Sequence, residues 1–128
     1  MSTINLKLFA DEWLAAWSGN QPGILLSYYA ENIFYVDPAN PTGIIGKVPL
    51  ENYLKKLLQN NPSWIWTREE IFPTTKGFTL KWKAKIPLHS ESLILFGMDI
   101  VEIKNNKIFR NEVYFDRHEW LMKMGSAS

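Results

Sequence analysis

The sequence predicts an α+β domain, helices first and a strongly curved antiparallel sheet afterwards, on three observations. Up to about residue 60, apolar side chains recur at three- and four-residue steps, the period of amphipathic helices. From Trp64 onward they alternate with polar ones, the period of strands wetted on one face. Between the two patterns stands Asn60-Asn61-Pro62, a helix-ending run. A chain of 128 residues is one ordinary domain. Residues 1–128 are read as that single domain, with an ordered core at about 4–122 and a disordered tail from Gly125 to Ser128.

Ser2 or Thr3 can cap a first helix whose apolar stripe is Leu6, Phe9, Ala10, Trp13, Ala16 and Trp17, with Lys7, Asp11 and Glu12 outward. Gly19 suits its C-terminal cap, and Pro22 restarts a second helix running to about Ala30. A short β-rich segment, Ile33 to Val36, then ends at Asp37, which Pro38 pins in place. Asn40, Pro41, Gly43 and Gly46 read as a turn-rich crossing. Pro49 opens a third helix with Leu50, Tyr53, Leu54, Leu57 and Leu58 on one side.

Four strands follow, at about Trp64–Phe72, Phe78–Ile86, Leu93–Ile103 and Ile108–Asp116. The first has mixed faces. The second alternates Phe78, Leu80, Trp82, Ala84 and Ile86 with Lys81, Lys83 and Lys85, a solvated basic face. In the third, Asp99 shares a face with Leu93, Leu95, Gly97, Val101 and Ile103. Asn105-Asn106 makes a hairpin turn into the fourth, where Phe109, Asn111, Val113 and Phe115 share a side.

Composition excludes several classes. Fourteen Lys plus Arg against 13 Asp plus Glu give a net charge of +1, which attracts neither nucleic acid nor anionic membrane. With no cysteine there is no disulfide or thiolate chemistry. The N-terminus lacks a basic and apolar signal segment, so cytoplasmic localisation is expected, and no apolar run is long enough to span a bilayer. His89 sits in a PLHSES connection that reads as a solvated loop, and His118 near the chain end reads as packing beside Trp120. Neither has carboxylates at ligand spacing, so no metal is expected. No glycine-rich phosphate motif occurs, and no cofactor is expected.

Two carboxylates are the candidate chemistry. Asp37 is either a cavity carboxylate or a turn residue capping backbone N–H groups, as Asp before Pro can be. Asp99 is either a cavity carboxylate or the partner of an Arg or Lys on a neighbouring strand. Asp116 and Arg117 read as an ion pair anchoring the last strand. Six Trp in a small chain fit a roomy aromatic cavity or a subunit interface.

With YYAENIFYVDP closing the helical half and GMDIVEIKNNKIFRNEVYFDR closing the sheet, the chain from Leu6 to Trp120 resembles the SnoaL-like branch of the nuclear-transport-factor-2-like superfamily. That resemblance implies a cone-shaped cavity between helices and sheet, a cystatin-like α+β roll, and a homodimer formed through the sheet. YAENIFYVDP is most similar to the segment of ketosteroid isomerases that holds the catalytic base. Asp37 falls on the base, and Asp99 on the protonated Asp that donates to the oxyanion. Where the isomerases keep a catalytic Tyr, this chain has Trp13, whose indole donates one hydrogen bond and accepts none. Tyr29 and Tyr53 fall near supporting tyrosines.

The resemblance thus implies a catalytic pair, Asp37 and Asp99, and a pocket built with Trp13, Trp17, Tyr29, Tyr53, Trp82, Leu95, Asn111 and Val113. It implies a cofactor-independent isomerase or cyclase acting on an apolar carbonyl compound, such as a polycyclic or aromatic ketone, with epoxide hydrolysis as a further option. A non-catalytic binder of small hydrophobic molecules and a dimeric adaptor with a filled interior are the alternatives.

Overall fold

The computed structural model describes residues 5–88 and 90–126. Its elements are α1 (Leu6–Ala15), α2 (Pro22–Leu26), β1 (Tyr29–Asp37), β2 (Asn40–Ile45), α3 (Lys47–Asn60), β3 (Ile65–Pro73), β4 (Gly77–Leu88), β5 (Glu91–Lys104), β6 (Lys107–Tyr114) and α4 (His118–Ser126). The predicted α+β class holds, and the strands form a single six-stranded sheet in the order β2-β1-β6-β5-β4-β3.

The sheet is mixed rather than wholly antiparallel, because β1 pairs parallel with β6 while every other neighbour pair is antiparallel. The two strands beyond the expected four come from the stretch read as a helix end, a short β-rich segment at Ile33 to Val36, and a crossing. α2 stops at Leu26, and Tyr29, Ile33, Tyr35 and Asp37 then point inward from an extended β1. The chain turns through Pro38 and returns antiparallel as β2. Gly43 permits this close return. It lies at φ 95°, and a Cβ there would sit 2.4 Å from the Phe34 ring.

Helix α1 is capped by Asn5, whose side chain accepts from the Leu8 N–H. The caps expected at Ser2 or Thr3, and His89, lie outside the described residues. Trp13 and Leu14 of α1, Leu25 of α2, and Leu50, Leu54 and Leu58 of α3 are buried against Phe78, Leu80, Ala84, Ile86 and Val101 of the sheet. Removing that apolar surface from water supplies the main driving force for the two-layer arrangement.

Two bulges correct the predicted faces. One lies between Arg68 and Glu70 and explains the mixed pattern of β3: Trp66 and Arg68 fall on one parity, Ile71 on the other, and all three are more buried than their neighbours. The second lies opposite Glu102 and Ile103, so Ile108 is buried where Phe109 was expected to face in. At the chain end, α4 takes in Gly125 and Ser126, the first half of the expected tail; residues 127–128 lie outside the described residues. Among the described residues no helix is long and apolar enough to cross a membrane.

Candidate functional site

Alternation along β1 brings Tyr35 and Asp37 to the same inner face, with Asp37 at the strand end. Its Oδ1 accepts from the Ala39 N–H (3.0 Å), the Asn40 N–H (2.9 Å) and Asn40 Nδ2 (3.0 Å). Its Oδ2 accepts from the hydroxyls of Tyr35 (2.8 Å) and, from α3, Tyr53 (2.6 Å). One oxygen therefore caps the turn and the other faces the interior, so the two readings of Asp37 describe one residue. Burial first, and then the Asp37 carboxylate, pushes the Tyr35 hydroxyl well above its usual range. Burial and the hydrogen bond to Asp37 raise Tyr53 in the same direction. Both phenols hold their protons and donate.

Asp99 lies on β5 with its flanking strands supplying the donors. Trp82 of β4 donates from Nε1 to Oδ1 (2.6 Å), and Asn111 of β6 donates from Nδ2 to Oδ2 (2.9 Å). Trp82 reaches because Gly97, opposite it in register, lets the indole lie flat on the strand. A Cβ on Gly97 would stand 2.2 Å from that ring. Neither Asp99 nor Asp37 makes an ion pair among the described residues, so the expected Arg or Lys partner of Asp99 is replaced by two neutral donors.

Behind Asp99 the network continues into the core. The Tyr29 hydroxyl donates to Asn111 Oδ1 (2.9 Å), and Trp13 Nε1 donates to the Tyr29 oxygen (3.2 Å). An indole only donates, so Trp13 sets the direction of the whole chain: the Tyr29 proton goes to the amide oxygen of Asn111, whose NH2 must then face Asp99. Burial nevertheless dominates. It lifts Asp99 to about 7 against the opposing hydrogen bonds from Asn111 and Trp82, and the Asp37 charge adds to the rise.

Both carboxylates line a pocket of about 860 Å³, its open mouth included. One wall is a continuous aromatic series. Tyr53 contacts Tyr35 (ring centroids 6.0 Å apart), Tyr35 stacks on Trp17 (6.4 Å), and Trp17 meets Trp66 (5.9 Å). Trp66 lies beside Trp64 (5.5 Å), which meets Trp120 of α4 edge to face (5.0 Å). The lining also includes Trp82 and Phe115, 5.5 Å apart, with Leu95 and Val113. Among the described residues no group of three metal-ligating side chains occurs.

Of the residues named from the sequence, Asp37, Asp99, Trp17, Tyr53, Trp82, Leu95 and Val113 line this pocket. Trp13, Tyr29 and Asn111 do not. They are fully buried and spend their polar atoms on one another and on Asp99. Tyr35 was missed, although its place two residues before Asp37 puts it on the same strand face. Trp64, Trp66, Phe115, Arg117 and Trp120 also line the pocket. The expected Asp116–Arg117 ion pair is absent among the described residues. Asp116 instead accepts from the His118 N–H at the start of α4 (2.8 Å), and Arg117 turns to the pocket.

No family model and no curated protein matches the chain. Solved structures do. A protein of ketosteroid-isomerase-like fold from Catenulispora acidiphila, in complex with trimethylamine, aligns with a TM-score of 0.78 at 17% identity, covering 91% of this chain and 92% of its own. A Shewanella putrefaciens protein named for its likeness to SnoaL-like polyketide cyclases aligns at 0.79 and 10% identity over 98% and 88% of the two chains. The chain has the SnoaL-like, nuclear-transport-factor-2-like fold. An M. tuberculosis epoxide hydrolase of the LEH-like type shares it too, at 0.74 and 11% identity over 95% and 90%. At these identities the likeness is one of fold, and the chemistry has to be argued from this chain's own pocket.

Proposed function

We propose that the pocket binds a flat, apolar carbonyl compound and that Asp99 donates a hydrogen bond to its carbonyl oxygen. The observation that carries this reading is the environment of Asp99. It lines the pocket, burial pushes its carboxyl up to about 7, and both of its protein partners are N–H donors. In the protonated form its O–H has no acceptor among those partners and is free for a ligand. The aromatic wall from Tyr53 to Trp120 supplies the flat apolar surface.

Asp37 is the candidate proton acceptor. It would take a proton from the carbon beside the carbonyl; the C–H pair becomes a C=C bond, and the resulting enolate oxygen is held by Asp99. Return of the proton to a different carbon completes an isomerisation without any cofactor. A specific observation favours a second reading, a binder without turnover: five donors already occupy the Asp37 oxygens, so taking up a proton requires displacing one of them.

Deuterium exchange separates the two. With 2-acetylnaphthalene in D2O, the isomerase reading expects loss of the methyl proton signal faster than in buffer, abolished by Asp37→Asn. Exchange no faster than buffer, together with binding seen by calorimetry, supports the binder instead. In either case Asp99→Asn should weaken binding of the ketone; unchanged affinity would remove Asp99 from the reading. Pairing through the sheet belongs to the same proposal, since Ile94, Phe96, Met98 and Tyr114 expose apolar surface on its outer face. A monomeric sedimentation profile would contradict it.

A further inference from the structure

With the pocket taken as a ligand site, as proposed above, its polar groups also narrow the ligand. Both of its carboxylates already hold donors from the protein. The Asp37 oxygens hold five donors, and each Asp99 oxygen holds one. Arg117 is different. Its half-buried side chain lines the pocket and makes no hydrogen bond or ion pair among the described residues. Its backbone is fixed: Asp116 accepts from the His118 N–H, and the Arg117 carbonyl accepts from the Leu121 N–H (2.9 Å). The charge also reaches the Asp37 side of the pocket, where it acts on the Tyr53 hydroxyl.

A guanidinium is always charged and presents a planar fork of N–H donors that fits the two oxygens of a carboxylate. Half-buried in the lining of an aromatic pocket, and without a protein partner among the described residues, it is suited to an anion brought in by the ligand. We propose that the pocket takes an aromatic or polycyclic molecule bearing a carboxylate or a similarly delocalised oxyanion, paired with Arg117 while its apolar body lies along the tryptophan wall. A cationic ligand is the rival chemistry, since aromatic faces and carboxylates both attract ammonium groups. It is disfavoured because the Asp37 oxygens are already occupied and burial holds Asp99 toward its neutral form, whereas the Arg117 guanidinium is a charge without a protein partner among the described residues.

The test is calorimetric titration of the full chain with three probes of one shape: 2-naphthoate, 2-acetylnaphthalene and 2-naphthylmethylammonium. Arg117→Gln should weaken naphthoate by about tenfold or more, as loss of a charged hydrogen-bonded pair does, and change the ketone by less than about twofold. Arg117→Lys should recover part of the loss, and Lys85→Gln, exposed on β4, should change nothing. Equal losses for naphthoate and ketone, no loss for either, or tightest binding by the ammonium probe would overturn the proposal. Ketone binding without naphthoate binding overturns the anion and leaves the pocket reading intact, whereas no binding by any of the three overturns both. Should Arg117→Gln unfold at a lower temperature than the parent, the Arg117→Lys comparison carries the same discrimination.

Discussion

Asp37 and Asp99 are the same residue type, almost equally buried, and line one pocket, yet they are built in opposite ways. Asp37 collects five donors, four of them from residues within three positions of it on the chain or from its own turn, with Tyr53 as the one long reach. Asp99 collects two, both from neighbouring strands, and these depend in turn on Gly97, Tyr29 and Trp13. Local turn geometry can surround a carboxylate with donors and keep it a fixed acceptor. A mid-strand carboxylate between two other strands receives few, and burial decides its charge.

The largest expected consequence is a pH dependence belonging to Asp99. Its folded value of about 7 stands above the 3.8 of an ordinary aspartate, so between these pH values the folded chain keeps a proton that the unfolded chain has lost. Stability from this group is therefore full below about 4, falls as pH rises, and levels off above about 7. The total is on the order of 4 kcal/mol. Urea unfolding at a series of pH values should show this fall in the parent and a much flatter profile in Asp99→Asn. A parent profile that rises through the same window would sink the assignment.

Next comes Gly97→Ala, which attacks Asp99 without touching Asp37. The new methyl group meets the Trp82 ring at 2.2 Å, so the indole must move and its N–H must leave Asp99. Overpacking of this kind should cost about 2–3 kcal/mol in chemical denaturation. Asp99 should also titrate higher still by NMR, and an unmoved titration would show that Trp82 does little for the carboxylate. Tyr35→Phe probes the other half and is expected to cost less, about 1.5 kcal/mol, because one hydrogen bond to a carboxylate is lost while four others persist.

The same contrast explains what was legible in the sequence. Both carboxylates could be found by pattern, Asp37 as a strand end before proline and Asp99 as a charge on an apolar face. Strands β3 to β6 were also visible, because their alternation is strong. Of β1 only the end, Ile33 to Val36, was visible, and β2 was not, since residues 28–47 pair with each other and with β6, and parallel pairing to a strand so distant leaves no local period. The bulges hid which of Ile108 and Phe109 faces inward. Periodicity put Trp13 on an apolar stripe and Asn111 on a face with Val113, and the resemblance brought in Tyr29, but none of this could say that the three hydrogen-bond in series behind Asp99 rather than face a ligand. Arg117 was misassigned because its neighbour Asp116 offered an obvious ion pair, while the start of α4 claimed that carboxylate first.

Tyr53→Phe is expected to have the smallest effect on stability and the most informative effect on chemistry. The hydroxyl is only partly buried, and Asp37 keeps four donors without it, so the cost should be about 1 kcal/mol. The loss falls on Oδ2, the oxygen that faces the pocket, and frees a lone pair where a substrate proton would have to arrive. If Asp37 accepts that proton, ketone deuterium exchange should accelerate in Tyr53→Phe even though the protein is slightly less stable. If the phenol is itself required to orient the ligand, exchange should slow while ketone affinity falls with it. Unchanged exchange with unchanged affinity would mean that Oδ2 takes no part, leaving Asp37 as the capping residue of its turn and Asp99 as the pocket's only proton-bearing carboxylate.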